Sequence, residues 1–167
     1  WEDEGRVIIT KFDKFTLLNV YFPNGKRDLG RLDYKMKFYD YFLKYINELR
    51  DRGEKVIFCG DVNTAHTEID LARPKDNVNV SGFLPIERKW MDKLVSADWV
   101  DTYRLINGDK MEYSWWSQRS GARSRNVGWR IDYFFIDKKI ESKITDAFIL
   151  TDVTGSDHCP VGIEIKI

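Results

Sequence analysis

A chain of 167 residues with 43% hydrophobic side chains is long enough for one domain with a real core. Lys+Arg and Asp+Glu are equal at 27 each, which excludes a global basic field; a nucleic-acid partner would have to be met by local positive patches beside acidic groups. No apolar run approaches the roughly 20 residues of a membrane helix, and nothing resembles a signal peptide.

The chain starts at Trp1 without an initiator Met and runs almost at once into a strand of interior character, so a processed or truncated product is expected. Residues 6–11 and 15–22 are rich in β-branched and aromatic side chains and are separated by Asp13-Lys14, the pattern of a β-hairpin. Pro23-Asn24-Gly25 stops the second strand. Across residues 31–52, Leu32, Met36, Tyr39, Leu43, Ile46 and Leu49 recur at three- and four-residue steps, which predicts an amphipathic helix ended by Gly53. Residues 55–59 form a short apolar run, expected as a buried strand, and lead into Gly60-Asp61.

Residues 64–83 lack sustained periodicity and contain Pro74, Asn77, Asn79 and Gly82, so a long ordered loop is expected. Pro85 opens a second helix, with acid following in its first turn, that runs to about residue 97. Another loop follows, then a polar, arginine-bearing stretch over 114–129 and strands at 131–136, 144–150 and 161–167. Strands alternating with helices, with hairpins at both ends, predict an α/β (α+β) domain over 1–167, its mixed sheets packed with helices outside. Cys59 and Cys159 each lie in an apolar stretch beside acidic residues and are expected as reduced core thiols.

Polar residues with chemical potential gather at strand ends. Asp61 and Asn63 follow the buried strand, and with Val62 turned away they would share one face. A carboxylate beside an amide suits hydrolysis, one taking a proton from water and the other orienting oxygen without adding charge. Gly, Asp and Asn are equally common in turns, so the tetrapeptide alone leaves both readings open. Ser156-Asp157-His158 precedes the last strand, and Asp132 is a candidate to fix the tautomer of His158 from a neighbouring strand, although Asp-His pairs also serve structure. His66 is expected to hold its loop.

Arg119, Arg123, Arg125 and Arg130 lie in a stretch without acid, flanked by Trp115, Trp116 and Trp129. They read either as phosphate binders beside a sugar- or base-stacking pocket or as an ordinary solvated loop. Lys26, Arg27 and Arg31 offer a second phosphate contact on the same terms.

The order of six segments carries a resemblance. Tyr21-Phe-Pro-Asn-Gly25, Gly60-Asp-Val-Asn-Thr-Ala-His66, Glu68-Ile-Asp-Leu71, Ser81-Gly-Phe-Leu-Pro85, Asn126-Val-Gly-Trp-Arg-Ile-Asp-Tyr133 and Gly155-Ser-Asp-His-Cys-Pro160 together resemble exonuclease III-type abasic (AP) endonucleases. Gly-Asp-x-Asn and Ser-Asp-His are shared with a wider superfamily that includes deoxyribonuclease I and inositol polyphosphate phosphatases; the Glu-Ile-Asp-Leu and Asn-Val-Gly-Trp-Arg-Ile-Asp segments point to the AP endonuclease branch. The resemblance implies part of a four-layer sandwich of two mixed sheets flanked by helices. It implies Mg²⁺-dependent hydrolysis, with Mn²⁺ as an alternative, of double-stranded DNA 5′ to abasic sites, with 3′→5′ exonuclease activity in the full-length enzyme. It also implies a cytoplasmic, nucleoid-associated protein in a prokaryote or a nuclear one in a eukaryote.

Carried over by position, Asp61 activates water, Asn63 positions the water or phosphate, and His158, oriented by Asp132, contacts the phosphate. Tyr21 and Asn24 also contact it, and Asp157 lies on the metal side. Trp115, Trp129 and Ile131 line the pocket for a flipped-out abasic sugar. Arg27 and Arg119 brace the DNA, and Asn77 lies near its backbone. The resemblance covers the family's C-terminal two-thirds. The family's metal-binding Glu, and an Asn and an Asp of its first strand, have no counterpart in this chain, and Glu2, Asp3 and Glu4 precede the wrong strand to replace them. The expectation is little incision by these residues alone, and an exposed sheet covered by self-association or by an N-terminal segment. A non-catalytic DNA-binding fragment and a phosphatase of the same superfamily are the competing readings.

Overall fold

The hairpin at the start of the chain forms as its pattern predicts. β1 (Val7–Lys11) pairs antiparallel with β2 (Thr16–Val20), Val7 opposite Val20 and Lys11 opposite Thr16. The computed structural model describes residues 4–166, so expectations that fell on Trp1, Glu2, Asp3 and Ile167 lie outside the described residues. After the hairpin comes the helix α1 (Leu32–Asp51). Asp33 in its first turn and Arg50 in its last complement the helix dipole. Gly53, at φ 86°, ends it by returning its N–H to the Arg50 carbonyl at 2.9 Å.

A crossover through α1 returns the chain to β3 (Val56–Asp61), which runs parallel to β2. β3 pairs antiparallel with β7 (Asp132–Asp137), and β7 with the short β4 (Trp99–Asp101), which gives a five-stranded mixed sheet in the order β1-β2-β3-β7-β4. Period-two alternation sorts its side chains. Val56, Phe58, Tyr133 and Phe135 face α1 and the helix α3 (Pro85–Ser96), meeting Phe42, Ile46, Trp90 and Leu94. Ile57 and Ile136 face the other way, towards the antiparallel pair β8 (Ile144–Ile149) and β9 (Val161–Ile165). Each fully buried aromatic or aliphatic side chain in these layers contributes about 2–3 kcal/mol of hydrophobic transfer. The fold is a mixed α/β arrangement of several sheets flanked by helices, the class that the alternation of elements predicted.

The expected loop after α3 holds two elements, β4 and the short helix α4 (Thr102–Asn107). Three residues of strand and six of helix are too few to show a period. α4 starts because the Asp101 carboxylate accepts from the backbone N–H groups of Tyr103 and Arg104. The long loop over 64–83 is irregular as predicted, apart from one turn of 3₁₀ helix at Glu68–Asp70 and the four-residue helix α2 (Pro74–Asn77). In the arginine-bearing stretch, β5 (Trp115–Trp116) and β6 (Gly128–Trp129) pair with each other.

β1 is the outer strand of its sheet, and all five of its residues are exposed. Ile8 is 65% exposed, and Val7, Ile9 and Phe12 are exposed beside it. An open apolar edge of this kind is a template for pairing.

Candidate active site

The site begins where β3 ends. Gly60 has φ +129°, and a Cβ there would lie 2.1 Å from the Val20 carbonyl oxygen, so only glycine lets β2 and β3 close together at this point. Gly60→Ala is expected to cost roughly 2–4 kcal/mol and to displace Asp61, read as a lowered denaturation midpoint. An unchanged midpoint would contradict the close approach. Beyond the strand, Val62 turns into the core and Asn63 adopts the left-handed conformation at φ 55°. Asp61 and Asn63 therefore meet through a turn, not through strand alternation. The Asn63 backbone N–H donates to Asp61 Oδ1 at 2.8 Å and its Nδ2 to Asp61 Oδ2 at 3.0 Å. Asn63 Nδ2 also donates to the Phe22 carbonyl, and Asn63 Oδ1 accepts from Asn24 Nδ2 at 2.9 Å.

The second half comes from β7 and the segment before β9. Asp132 sits opposite Asp61 in the antiparallel register of β3 and β7. His158 Nδ1 lies 2.8 Å from Asp132 Oδ2, which places the proton on Nδ1 and leaves Nε2 for the cleft. Ser114 Oγ donates to the same Asp132 oxygen at 2.7 Å and accepts from the N–H groups of Ile131 and Asp132. β5 is the hinge piece between the two walls. Trp115 pairs with Trp129 on one side and bridges to His158 on the other, and its indole N–H donates to Asp157 Oδ2 at 3.0 Å.

A cleft of about 280 Å³ results. Asp61, Asn63, Asp157 and His158 line it together with Tyr21 and Asn24, and Trp115, Trp129 and Ile131 form its apolar side. Nine of the residues singled out from the sequence thus meet in one place; Asp132 stands directly behind His158. Burial, and then the charge of Asp132, pushes the Asp61 carboxyl up to about 7 against the opposing pull of the Asn63 N–H, His158 and Lys35. For His158 burial acts downward, but the hydrogen bond and charge of Asp132, with Asp61 and Asp157, outweigh it and raise the imidazole. The Trp115 hydrogen bond holds Asp157 below the usual carboxylate range.

Other sequence candidates lie elsewhere. Arg27 and Arg119 are exposed in their loops and do not line the cleft, and Asn77 is on α2 with its Nδ2 bonded to the Arg73 carbonyl. Arg31 turns to Glu4 at 2.7 Å, which leaves that acid paired with Arg31 and Arg6. The arginine stretch divides. Arg130 is fully buried, Arg123 donates to the carbonyls of Thr151, Val153 and Ser156, and Arg125 donates to that of Ser120. Arg123 and Arg125 thus hold backbone and Arg130 holds the carboxylates of Asp70 and Asp101, so the acid-free stretch is mainly a scaffold. His66 does hold its loop, through Asp92 at 2.9 Å and through Arg88 to its carbonyl. Burial pushes the free thiols of Cys59 and Cys159 up to about 11, so little thiolate exists at neutral pH.

Three supporting contacts join residues that no pattern in the sequence pairs. Ser114 read as loop polarity. Lys35 sits on the apolar stripe of α1, one turn before Tyr39, where a lone lysine suggests a solvated edge; it is fully buried against Glu87 at 2.5 Å. Asp70 and Arg130, from two separate sequence motifs, meet at 2.7 Å, and Arg130 also grips Asp101. Those motifs form one unit, since the Leu71–Trp129 bridge and the Arg130 N–H to Asp70 carbonyl bond join their backbones and so seat Trp129 and Ile131 at the cleft.

Metal binding is where the described residues fall short. No group of three or more His, Cys, Asp or Glu side chains among them comes together to hold an ion. Asp157 offers one carboxylate to the cleft, with Oδ2 already accepting from Trp115. The described residues alone do not fit a magnesium site, which takes close to octahedral oxygen coordination.

Comparisons with known proteins agree with the geometry. The chain is 48% identical over 167 residues to an exodeoxyribonuclease of Bacillus subtilis, covering 99% of this chain and 66% of that protein. It is 44% identical to a DNA-(apurinic or apyrimidinic site) endonuclease of Dictyostelium discoideum, of which it covers 47%. The solved structure of an AP endonuclease from Archaeoglobus fulgidus superposes with a TM-score of 0.90 at 26% identity, over 99% of this chain and 66% of that one. The chain therefore spans about half to two-thirds of the length of these relatives. Residues 1–158 match the model of a single family. With the Asp61–Asn63 and Asp132–His158 pairs in one cleft, the match identifies the chain as a member of the endonuclease/exonuclease/phosphatase family.

Proposed function

We propose that the chain carries the hydrolytic part of a DNA-repair nuclease that cuts the backbone 5′ to abasic sites, with 3′→5′ exonuclease activity in the full-length protein. One observation carries the reading: the two polar pairs share a cleft whose other side is Trp115, Trp129 and Ile131. Asp61 takes a proton from the attacking water while both its oxygens are steered by Asn63. His158, cationic beside Asp132, binds a phosphate oxygen, and Tyr21 and Asn24 position the same phosphate. The tryptophan side takes a sugar without its base, which is also the nucleotide least costly to extrude. Arg27, Arg119 and Asn77 touch the DNA outside the cleft.

Of the groups that the resemblance assigns to the metal, Mg²⁺ or alternatively Mn²⁺, Asp157 alone is matched in this chain. For the same reason these 167 residues are expected to incise slowly or not at all. Incubating the purified chain and the full-length gene product with an abasic duplex, an intact duplex and an inositol polyphosphate, with and without EDTA, tests both points. Selective cutting of the abasic duplex by the full-length protein is expected. Preference for the inositol phosphate would replace the reading with a phosphatase, and EDTA-resistant binding without product would indicate a DNA-binding module. Efficient incision by the 167 residues would remove the expected impairment.

We further propose that the β1 edge associates with another copy in the isolated chain. Sedimentation should show species larger than a monomer that Ile8→Lys shifts towards monomer. A wild-type chain that is monomeric throughout would sink this.

A further inference from the structure

We propose that the buried Lys35–Glu87 ion pair is a positioning device for the candidate site, holding the Asn63 turn and the 80–82 wall of the cleft in register. The inference rests on the hydrolytic reading above. Both side chains are fully buried, yet neither touches the cleft. Lys35 uses all three ammonium donors: on the Asn63 carbonyl at 2.7 Å, Thr64 Oγ1 at 3.1 Å and Glu87 Oε1 at 2.5 Å. Glu87 in turn accepts from Ser81 Oγ at 2.9 Å and from the backbone N–H groups of Gly82 at 2.6 Å and Leu84 at 2.9 Å. Ser81 and Gly82 line one wall of the cleft and Asn63 the other. One ion pair therefore ties both walls to α1 and α3.

Tyr39 and Ile131 hold Val62 and the Gly82 carbonyl holds Ala65, but the Asn63 carbonyl itself accepts from Lys35 and from the Thr64 hydroxyl, which Lys35 also bonds. Asn63 is left-handed, at a position where the backbone conformation depends on its surroundings. Its carboxamide is shared among Asp61, Phe22 and Asn24, so a small rotation of the turn breaks the pairing that steers both oxygens of Asp61. Gly82 sits close enough to transmit the same movement. A Cβ there would lie 3.1 Å from the Trp129 ring and 3.3 Å from the Asn63 carbonyl oxygen. Burying a lysine and a glutamate is also a weak way to gain stability, because desolvation consumes most of the attraction. Registry of two walls accounts for the pair where stability does not.

The decisive variant separates stability from position. Lys35→Met alone leaves Glu87 buried and unpaired, so it is expected to lose stability and activity together. Lys35→Met/Glu87→Gln removes both charges and leaves an oxygen to accept from the Leu84 N–H. The double variant should recover most of the lost melting temperature. In the full-length protein its kcat on an abasic duplex should still fall at least about tenfold, with KM changed by less than about twofold. In the 167-residue chain, the NMR signals of the Asn63 side-chain amide should shift or broaden, while the Trp99 indole signal, bonded to Asn47, stays in place. A double variant with wild-type kcat, or with unmoved Asn63 signals, would overturn the proposal and reduce the pair to a structural brace. If the wild-type protein cuts no DNA, the hydrolytic reading fails while the Asn63 signals still decide whether the pair sets the turn.

Discussion

Replacing Arg130 with methionine is expected to cost roughly 3–5 kcal/mol of stability, because it strips a buried cation from the carboxylates packed around it. The guanidinium is fully buried and makes three charged contacts, Nε to Asp70 at 2.7 Å and two N–H groups to Asp101 at 3.1 and 2.7 Å. Methionine fills similar volume but leaves two carboxylates buried, with Arg104 as the remaining charged partner of Asp70. A loss below about 1 kcal/mol in denaturant titration at pH 7 would mean the network is better screened than its burial implies. The same network sets an acid limit. Burial alone would raise the Asp70 carboxyl, but Arg130 and Arg104 bring it down to about 2. In the unfolded chain the group titrates near 3.9. Its contribution of roughly 2 kcal/mol is thus complete above that value and is lost as the pH falls towards 2. Denaturation midpoints between pH 5 and 2 should show this fall in the wild type and a smaller one in Arg130→Met.

Asp61→Asn is expected to lower the cutting rate of the full-length protein by roughly 10²–10⁴-fold, since the amide cannot take the proton that attack releases. The same change should not harm the fold. Burial and the facing Asp132 make an ionised Asp61 unfavourable, pushing it up to about 7, so an uncharged isostere removes a cost. Above pH 7, Asp61→Asn should therefore melt at or above the wild-type temperature. Single-turnover assays paired with thermal melts at pH 8 read both effects. A variant that cuts normally would move the general base elsewhere, and one that melts well below the wild type would show that the carboxylate is needed to hold the Asn63 turn. A stabilised, inactive variant is the usual mark of a residue kept for function at the expense of the fold.

How much of the molecule was legible in the chain depended on element length and on burial. α1 spans enough turns for its stripe to repeat, and α3 begins at a proline, so both were readable. β4 and α4 span three and six residues and fall below any period. Asp61 and Asn63 were legible as a pair, but their geometry was not, because a left-handed turn does what strand alternation was expected to do. Buried charged residues were the least legible. Lys35, Asp70 and Arg130 carry the same labels as solvated residues, and only their partners, 52, 34 and 60 positions away, reveal them as interior.

The sequence by itself determined the mixed α/β class, the family resemblance and the identities of nine of the residues that line the cleft, because these depend on local periodicity and on short ordered motifs. Only the tertiary structure decided which cations face solvent and which brace the interior, and how the two polar pairs converge. Those outcomes rest on contacts between distant segments, β3 against β7 and β5 against the 157–159 segment, whose distances and burial no local pattern encodes.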